Sequence, residues 1–176
     1  MTGGANGTGK GTYKVLAGQG AHVVVTDVDL EGAAKVSSSI IQSGGNSSEL
    51  ELDVTDRESI SSSVCHVIKE FGQIDILINN AGVVGAHGWW DRKVPSDDDW
   101  TTVLDINLRG VVLVYQAGDP IMKKRRDGKN VNIASIASRQ GSPAIPHYNA
   151  SKAAVVSWTQ GHALQLAPDQ INVNAI

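Results

Sequence analysis

The chain has 176 residues, 41% of them hydrophobic, with 19 glycines and a formal net charge of -3. Its length and composition suit a single domain, 1–176, with a sizeable core, and they exclude a disordered chain; the slight acidity leaves no electrostatic footprint for a nucleic-acid partner. The single cysteine, Cys65, excludes an intrachain disulfide and a cysteine-rich metal site, and it reads as a buried or half-buried small apolar residue. No apolar run approaches the ~18 residues of a membrane span, and glycines follow Met1 where a signal peptide would turn basic and then apolar, so a cytoplasmic setting without a membrane partner is expected.

The chain opens on T-G-G-A-N-G-T-G-K-G. Gly3, Gly7 and Gly9 leave backbone N–H groups uncovered, and a helix expected over 9–19 points its positive dipole end at them, an arrangement suited to a phosphate or pyrophosphate. The G-x-x-x-G-x-G spacing departs from the commoner G-x-G-x-x-G dinucleotide loop. Gly4, Gly9 and Lys10 nearly complete a P-loop, but Gly11 stands where a Ser or Thr must reach magnesium, so a P-loop nucleoside triphosphatase is the weaker alternative. An ordinary glycine-rich loop is the plain one.

Short β-rich runs follow at 21–26 (A-H-V-V-V-T), 48–52, 74–79 (I-D-I-L-I-N), 129–134 and 170–175. Helical patterns lie between them at 30–42, 57–71, 98–126 and 146–166. Strands alternating with helices predict parallel βαβ units, hence an α/β fold with a doubly wound parallel sheet. Asp27 ends the first run, 18 residues past Gly9, near the ~20-residue offset at which an acidic residue meets the adenosine ribose in such folds. A carboxylate there accepts hydrogen bonds from the 2'- and 3'-hydroxyls and repels a 2'-phosphate, which favours NAD over NADP; a solvated strand-end aspartate is the alternative. Asp29 reads as the start of the next helix, Asp97 to Asp99 as the N-terminal charges of the long helix, and Lys123 to Arg126 as its solvated basic end.

Tyr148 and Lys152 are four residues apart in the helical pattern 146–166, so both side chains lie on one face and can touch one ligand. Acid/base work by a phenol near neutral pH requires its pKa to fall by about 3 units, or roughly 4 kcal/mol. A lysine ammonium about 5 Å away supplies on the order of 3 kcal/mol at an effective dielectric near 20. Ser135, thirteen residues before Tyr148 at the end of V-N-I-A-S, could offer a hydroxyl to the same substrate oxygen. Taken alone, Tyr-x-x-x-Lys also fits an ordinary surface pair. Asn132 reads as a strand residue with a structural bond and His147 as a surface residue. The histidines show no metal-ligand spacing, and no metal is expected. Gly85 to Arg92, with Trp89 and Trp90, and Ser142 to Ile145 are the stretches placed to touch substrate; the tryptophan loop equally fits packing onto its own core.

Six motifs in order over nearly the whole chain, Thr2-Gly3-x-x-x-Gly7-x-Gly9, Asp53 in L-D-V-T-D, Asn79-Asn80-Ala81-Gly82, Asn107 in D-I-N-L-R-G, Ser135 and Tyr148-x-x-x-Lys152, resemble the short-chain dehydrogenase/reductase family. The resemblance implies a Rossmann-like fold, a nicotinamide cofactor, and hydride transfer to or from a small alcohol or ketone. It implies a catalytic set of Asn107, Ser135, Tyr148 and Lys152, in which Ser135 bonds the substrate oxygen, Tyr148 moves the proton, and Asn107 holds a water behind Lys152 as part of a proton relay. From the residues alone, Asn107 equally fits an asparagine bonding backbone inside a helix. The cofactor set carried over is Gly3, Asn6, Gly7, Thr8 and Gly9 of the loop, Asp27, Asp53 and Val54 beside the adenine, Asn80, Ala81 and Gly82, then Tyr148 and Lys152, with Asn79 partly structural.

Members of this family also pack the long helix and the tyrosine-bearing helix against copies of themselves, which implies a homodimer or homotetramer. V-V-L-V at 111–114 and A-A-V-V-S-W at 153–158 fit that contact and equally fit packing on the sheet. The family places an apolar strand directly before the Thr-Gly motif and continues past I-N-V-N-A-I into a substrate-covering segment. The fold is therefore expected to lack its first strand and that segment, leaving two strand edges exposed. A non-catalytic nucleotide-binding or assembly protein of the same fold is the alternative from another functional class.

Overall fold

The computed structural model describes residues 1–176. Five helix–strand alternations build it: α1 (Gly7–Gly18), β1 (His22–Asp27), α2 (Leu30–Gln42), β2 (Asn46–Glu51), α3 (Arg57–Phe71), β3 (Ile76–Asn79), α4 (Asp97–Leu104), α5 (Gly110–Arg125), β4 (Gly128–Asn132), α6 (Pro146–Leu166) and β5 (Ile171–Ala175). Local chemistry sets the boundaries. Asp29 caps α2 by accepting from the Gly32 N–H at 2.9 Å, and Asp56 caps α3 by accepting from the Glu58 and Ser59 N–H groups. Ser96 and Asp99 form a reciprocal capping box at α4, Pro146 opens α6, and Gly72 ends α3 at φ 75.

All strand pairs are parallel. β1 pairs with β2, Val24 opposite Ser48, while β4 pairs with β3 on one side and β5 on the other. These two partial sheets are joined by Met1 to Gly4. The Met1 amino group donates to the Val24 carbonyl at 3.3 Å, and the Thr26 N–H donates to the Met1 carbonyl at 3.3 Å. On the other flank the Thr2 N–H donates to the Ile78 carbonyl at 3.0 Å. Tyr13, fully buried on α1, donates its hydroxyl proton to the Met1 carbonyl and accepts from the Thr26 N–H, fastening this short segment down. The molecule is therefore a Rossmann-like α/β fold whose order runs β2, β1, the 1–4 segment, β3, β4, β5.

The buried apolar residues divide accordingly. Tyr13, Val23, Val25, Ala33, Val36 and Ile40 pack between β1, α1 and α2, and a larger cluster including Ile60, Leu77, Leu113, Met122, Val155, Leu166 and Val173 packs around β3, β4 and β5. Each fully buried aliphatic side chain contributes about 1.5–3 kcal/mol.

Three expectations are corrected. The pattern over 98–126 is two helices, α4 and α5, separated by a π-helical turn at Asp105–Arg109, because Asn107 is drawn inward to bond residues outside its own helix. Of the two readings open for 111–114 and 153–158, packing on the sheet accounts for Val111, Leu113, Val114 and Val155, which are buried in the larger core. Cys65 is exposed, on the solvent side of α3. His147 is 1% exposed, since the first turn of α6 packs on α4 and sets the His147 ring 6.0 Å from that of Trp100. No helix is long and apolar enough to cross a membrane.

Candidate active site

The carboxyl ends of the first four strands, the N-terminus of α1 and one face of α6 enclose a cavity of about 470 Å³. Every residue carried over for cofactor binding lines it: Gly3, Asn6, Gly7, Thr8, Gly9, Asp27, Asp53, Val54, Asn80, Ala81, Gly82, Tyr148 and Lys152. Val28, Leu52, Val83, Val84, Ile106, Ile133 and Ala134 line it as well and were not singled out from the sequence. Most are neighbours of motif residues at strand ends, a position that would have identified them.

The glycine loop is shaped by close approach. Gly3 adopts φ +65, and a Cβ there would lie 2.7 Å from the Ala81 Cα; a Cβ on Gly9 would meet the Gly3 carbonyl. Asn80 ties the loop to the end of β3, its amide donating to the Thr2 carbonyl at 3.1 Å and the Gly3 carbonyl at 2.6 Å. The Thr2 hydroxyl accepts in return from the Asn80 and Ala81 N–H groups at 3.1 and 3.0 Å. α1 then begins with no side-chain cap from Asn6 and no acidic residue in its first turn. Its first N–H groups, at Gly7, Thr8 and Gly9, have no helical partner and border the cavity, so the loop could hold an anion.

Asp27 borders that loop. Its carboxylate accepts from the Ala5 N–H at 2.9 Å and the Asp29 N–H at 3.1 Å, which fixes its direction and leaves further lone pairs for a ligand. Asp53 accepts from the Thr55 N–H and hydroxyl at 2.8 and 2.7 Å. Val54, beside it, packs so closely on Gly110 that a Cβ there would be 2.8 Å from a Val54 methyl.

At the other end, Tyr148 is half-buried and Lys152 is 5% exposed. The Lys152 Nζ lies 5.7 Å from the centre of the Tyr148 ring and donates to the Ile133 carbonyl at 2.6 Å. Burial lowers the Lys152 pKa from 10.5 to about 8. Asn107, 1% exposed, lies behind this pair. Its amide donates to the Val83 carbonyl at 2.9 Å and the Ser151 hydroxyl at 3.1 Å, and its oxygen accepts from the Val83 N–H at 2.8 Å. A Cβ on Gly82 would sit 3.2 Å from Asn107 Oδ1 and 3.5 Å from Lys152 Nζ, so both groups reach the same point of the loop after β3. Ser135 directly follows the cavity-lining Ala134; its Oγ accepts from the Ala137 N–H at 3.1 Å, leaving its own proton free to donate. Beneath them Asn132 accepts from Asn79 and Tyr115, both at 3.1 Å, and donates to Thr159 at 2.9 Å, the structural bonding expected of it.

Other candidates fall outside the cavity. Lys10 is exposed and absent from its wall, which removes the cation a P-loop needs. Trp89 and Trp90 form a 3-10 turn, with Trp90 60% exposed, and line no part of it, nor does Ser142 to Ile145. A buried clamp near the tryptophan loop was missed. Asp99, 1% exposed, takes two hydrogen bonds from Arg92, at 2.8 and 2.9 Å, and others from the Ala86 and Ser96 N–H groups. Arg92 holds the Asp99 carboxyl well below the usual range.

A Rossmann-like parallel sheet with a glycine-rich anion cradle at its carboxyl edge places the molecule among the dinucleotide-binding α/β proteins. More narrowly, the sequence matches the short chain dehydrogenase family over residues 1–176, and the chain belongs to that family. It is 39% identical over 177 residues to galactitol 2-dehydrogenase of Agrobacterium fabrum, spanning 100% of this chain and 67% of that protein. Among solved structures, an NAD+-bound xylitol dehydrogenase superposes with a TM-score of 0.91 at 35% identity, covering 99% of this chain and 66% of the other. A metagenomic short-chain oxidoreductase in complex with NADP superposes with a TM-score of 0.90 at 28% identity, covering 99% of this chain and 78% of the other. The chain thus spans about two thirds of the first two. The family consists of oxidoreductases that bind nicotinamide cofactors, act on small molecules and are commonly oligomeric.

Proposed function

We propose that this chain is the cofactor-binding and catalytic part of an NAD(H)-dependent oxidoreductase that interconverts a small secondary alcohol and its ketone. The observation that carries the reading is that Tyr148 and Lys152 line the same cavity as the glycine loop and Asp27. A cradle of uncovered N–H groups, a carboxylate beside it and an acid/base pair lining the same cavity match the parts of a dinucleotide. Gly3 and Gly9 admit no side chain, so backbone donors at Gly7, Thr8 and Gly9, with Asn6 beside them, would hold the pyrophosphate.

Asp27 would take the adenosine ribose hydroxyls, and its charge opposes a 2'-phosphate, which supports NAD over NADP. Asp53 and Val54 would flank the adenine, Asn80, Ala81 and Gly82 the middle of the cofactor, and Lys152 the nicotinamide ribose. When bound, the nicotinamide ring supplies the hydride acceptor or donor.

The chain's own groups would do the rest. Ser135 would donate its hydroxyl proton to the substrate oxygen. Tyr148 would accept the alcohol proton in oxidation and return it in reduction. Lys152, whose pKa of about 8 keeps it mainly cationic at pH 7, would hold a positive charge beside Tyr148. Asn107 would act as a positioning residue, fixing Val83 and Ser151 around that lysine. The polyol dehydrogenases among the relatives support a secondary alcohol as substrate, and a cytoplasmic homodimer or homotetramer completes the reading. NADH formation from a panel of secondary alcohols, compared between the wild type and Tyr148→Phe, tests it. Nucleotide binding without turnover in either protein would favour a non-catalytic nucleotide-binding role.

A further inference from the structure

Val83 and Val84, which wall the cavity just past the end of β3, hang between two buried side chains of one helical stretch. Asn107, in the π-helical turn, bonds both backbone groups of Val83, at 2.8 and 2.9 Å. Asp99, in α4, accepts from the Ala86 N–H at 2.9 Å. α4 and the π-turn follow one another without a break from Asp97 to Arg109, so a single body supplies both anchors. That body is also fixed to the helix carrying Tyr148. Asn107 donates to the Ser151 hydroxyl at 3.1 Å, and the Trp100 ring lies 6.0 Å from the ring of His147. The valine wall and the tyrosine are therefore set relative to each other through residues 97–109.

The two anchors differ in kind. Asn107 is neutral, whereas Asp99 is a buried carboxylate, and a buried charge persists only when it is paired. Arg92 supplies the pairing: its Nε and Nη2 donate to the two carboxylate oxygens at 2.8 and 2.9 Å. Nη2 also donates to the His87 carbonyl at 3.1 Å, and the Ser96 N–H and hydroxyl complete the set around Asp99 at 2.8 and 2.9 Å. The turn between is closely packed, since a Cβ on Gly85 would lie 2.5 Å from Trp89 Cβ and 2.9 Å from Asp99 Oδ1. Without the guanidinium, Asp99 must take up a proton or turn to solvent. The Ala86 anchor weakens in either case.

We propose, on the basis of the oxidoreductase function above, that Arg92 is a positioning residue for the reaction: its two-pronged bond to Asp99 holds the Val83–Ala86 wall in the register with Tyr148 that the substrate requires. Arg92 lines no part of the cavity, so it acts through Asp99 and Ala86. A lysine would keep the charge but offer a point in place of the planar fork, and so could not hold both carboxylate oxygens in this geometry.

The test compares wild type, Arg92→Met and Arg92→Lys by steady-state oxidation of a secondary alcohol at saturating NAD+, by equilibrium NAD+ binding, and by amide hydrogen exchange over residues 83–87. In Arg92→Met the KM for the alcohol is expected to rise, and kcat/KM to fall, at least about tenfold, while NAD+ affinity stays within about twofold of wild type. Exchange at the Ala86 amide is expected to quicken at least about tenfold, with exchange in α6 unchanged. Arg92→Lys is expected to recover the melting temperature to within about 2 °C yet keep at least about a threefold rise in KM, a split that a merely stabilising ion pair would not produce. It also keeps the test decisive should Arg92→Met fail to fold. An unchanged alcohol KM in both variants, a loss of NAD+ affinity by the same factor as kcat/KM, or unchanged exchange at Ala86 would each overturn the proposal. Absence of turnover in the wild type contradicts the oxidoreductase function instead, and exchange at Ala86, which needs no turnover, then decides the role of Arg92.

Discussion

Lys152 donates a 2.6 Å hydrogen bond from Nζ to the carbonyl of Ile133, the residue that follows β4, and so anchors a buried cation at the wall of the cavity. Burial holds its pKa near 8 instead of 10.5. Below pH 8 the folded chain must keep this group charged, a burden of about 3 kcal/mol relative to the unfolded chain. Between about pH 8 and 10.5 the folded chain releases the proton while the unfolded chain retains it, so stability rises with pH over that window. Lys152→Met is therefore expected to be more stable than the wild type at pH 7 by about 1–3 kcal/mol, with the difference shrinking towards pH 10.5. Urea unfolding at a series of pH values measures this.

Gly3 cannot carry a side chain, because its φ is +65 and a Cβ would be 2.7 Å from Ala81 Cα. Gly3→Ala is expected to cost about 2 kcal/mol or more in stability and to weaken nucleotide binding at least tenfold, as calorimetry would show.

Asn107 satisfies both backbone groups of Val83 and the Ser151 hydroxyl from a buried position. Asn107→Leu leaves these groups unpaired, and a loss of about 2–4 kcal/mol is expected in the urea midpoint.

That π-turn also shows where the sequence was mute. The apolar pattern over 98–126 reads as one helix because a π-turn changes little in local periodicity; what opens it is the reach of Asn107 to Val83, 24 residues away in the chain. His147 misled for a similar reason. It is adjacent to Tyr148 and does point away from it, but the direction away leads under Trp100, a contact made by packing of α4 on α6. The strand and helix alternation was legible because apolar runs and capping residues such as Asp29 are local signals. The glycine loop and Tyr148–Lys152 were legible as spacings, whereas their meeting in one cavity depends on parallel strands ending at the same edge. The bridging role of Met1 to Gly4 had no pattern to announce it, being too short to show alternation.

Asp27 carries the cofactor preference. Asp27→Ser removes the charge while keeping an acceptor, and the ratio of NADP to NAD affinity is expected to rise at least tenfold. Equilibrium binding of both nucleotides to wild type and variant checks it; tighter binding of NADP by the wild type would refute the role given to Asp27.

The most direct measurement is the rate of NADH formation by wild type and Tyr148→Phe with a secondary alcohol at saturating NAD+, alongside nucleotide affinity. Loss of the phenolic proton carrier should lower the rate about 100-fold or more while affinity stays within a few fold. Equal rates in the two proteins would contradict the account.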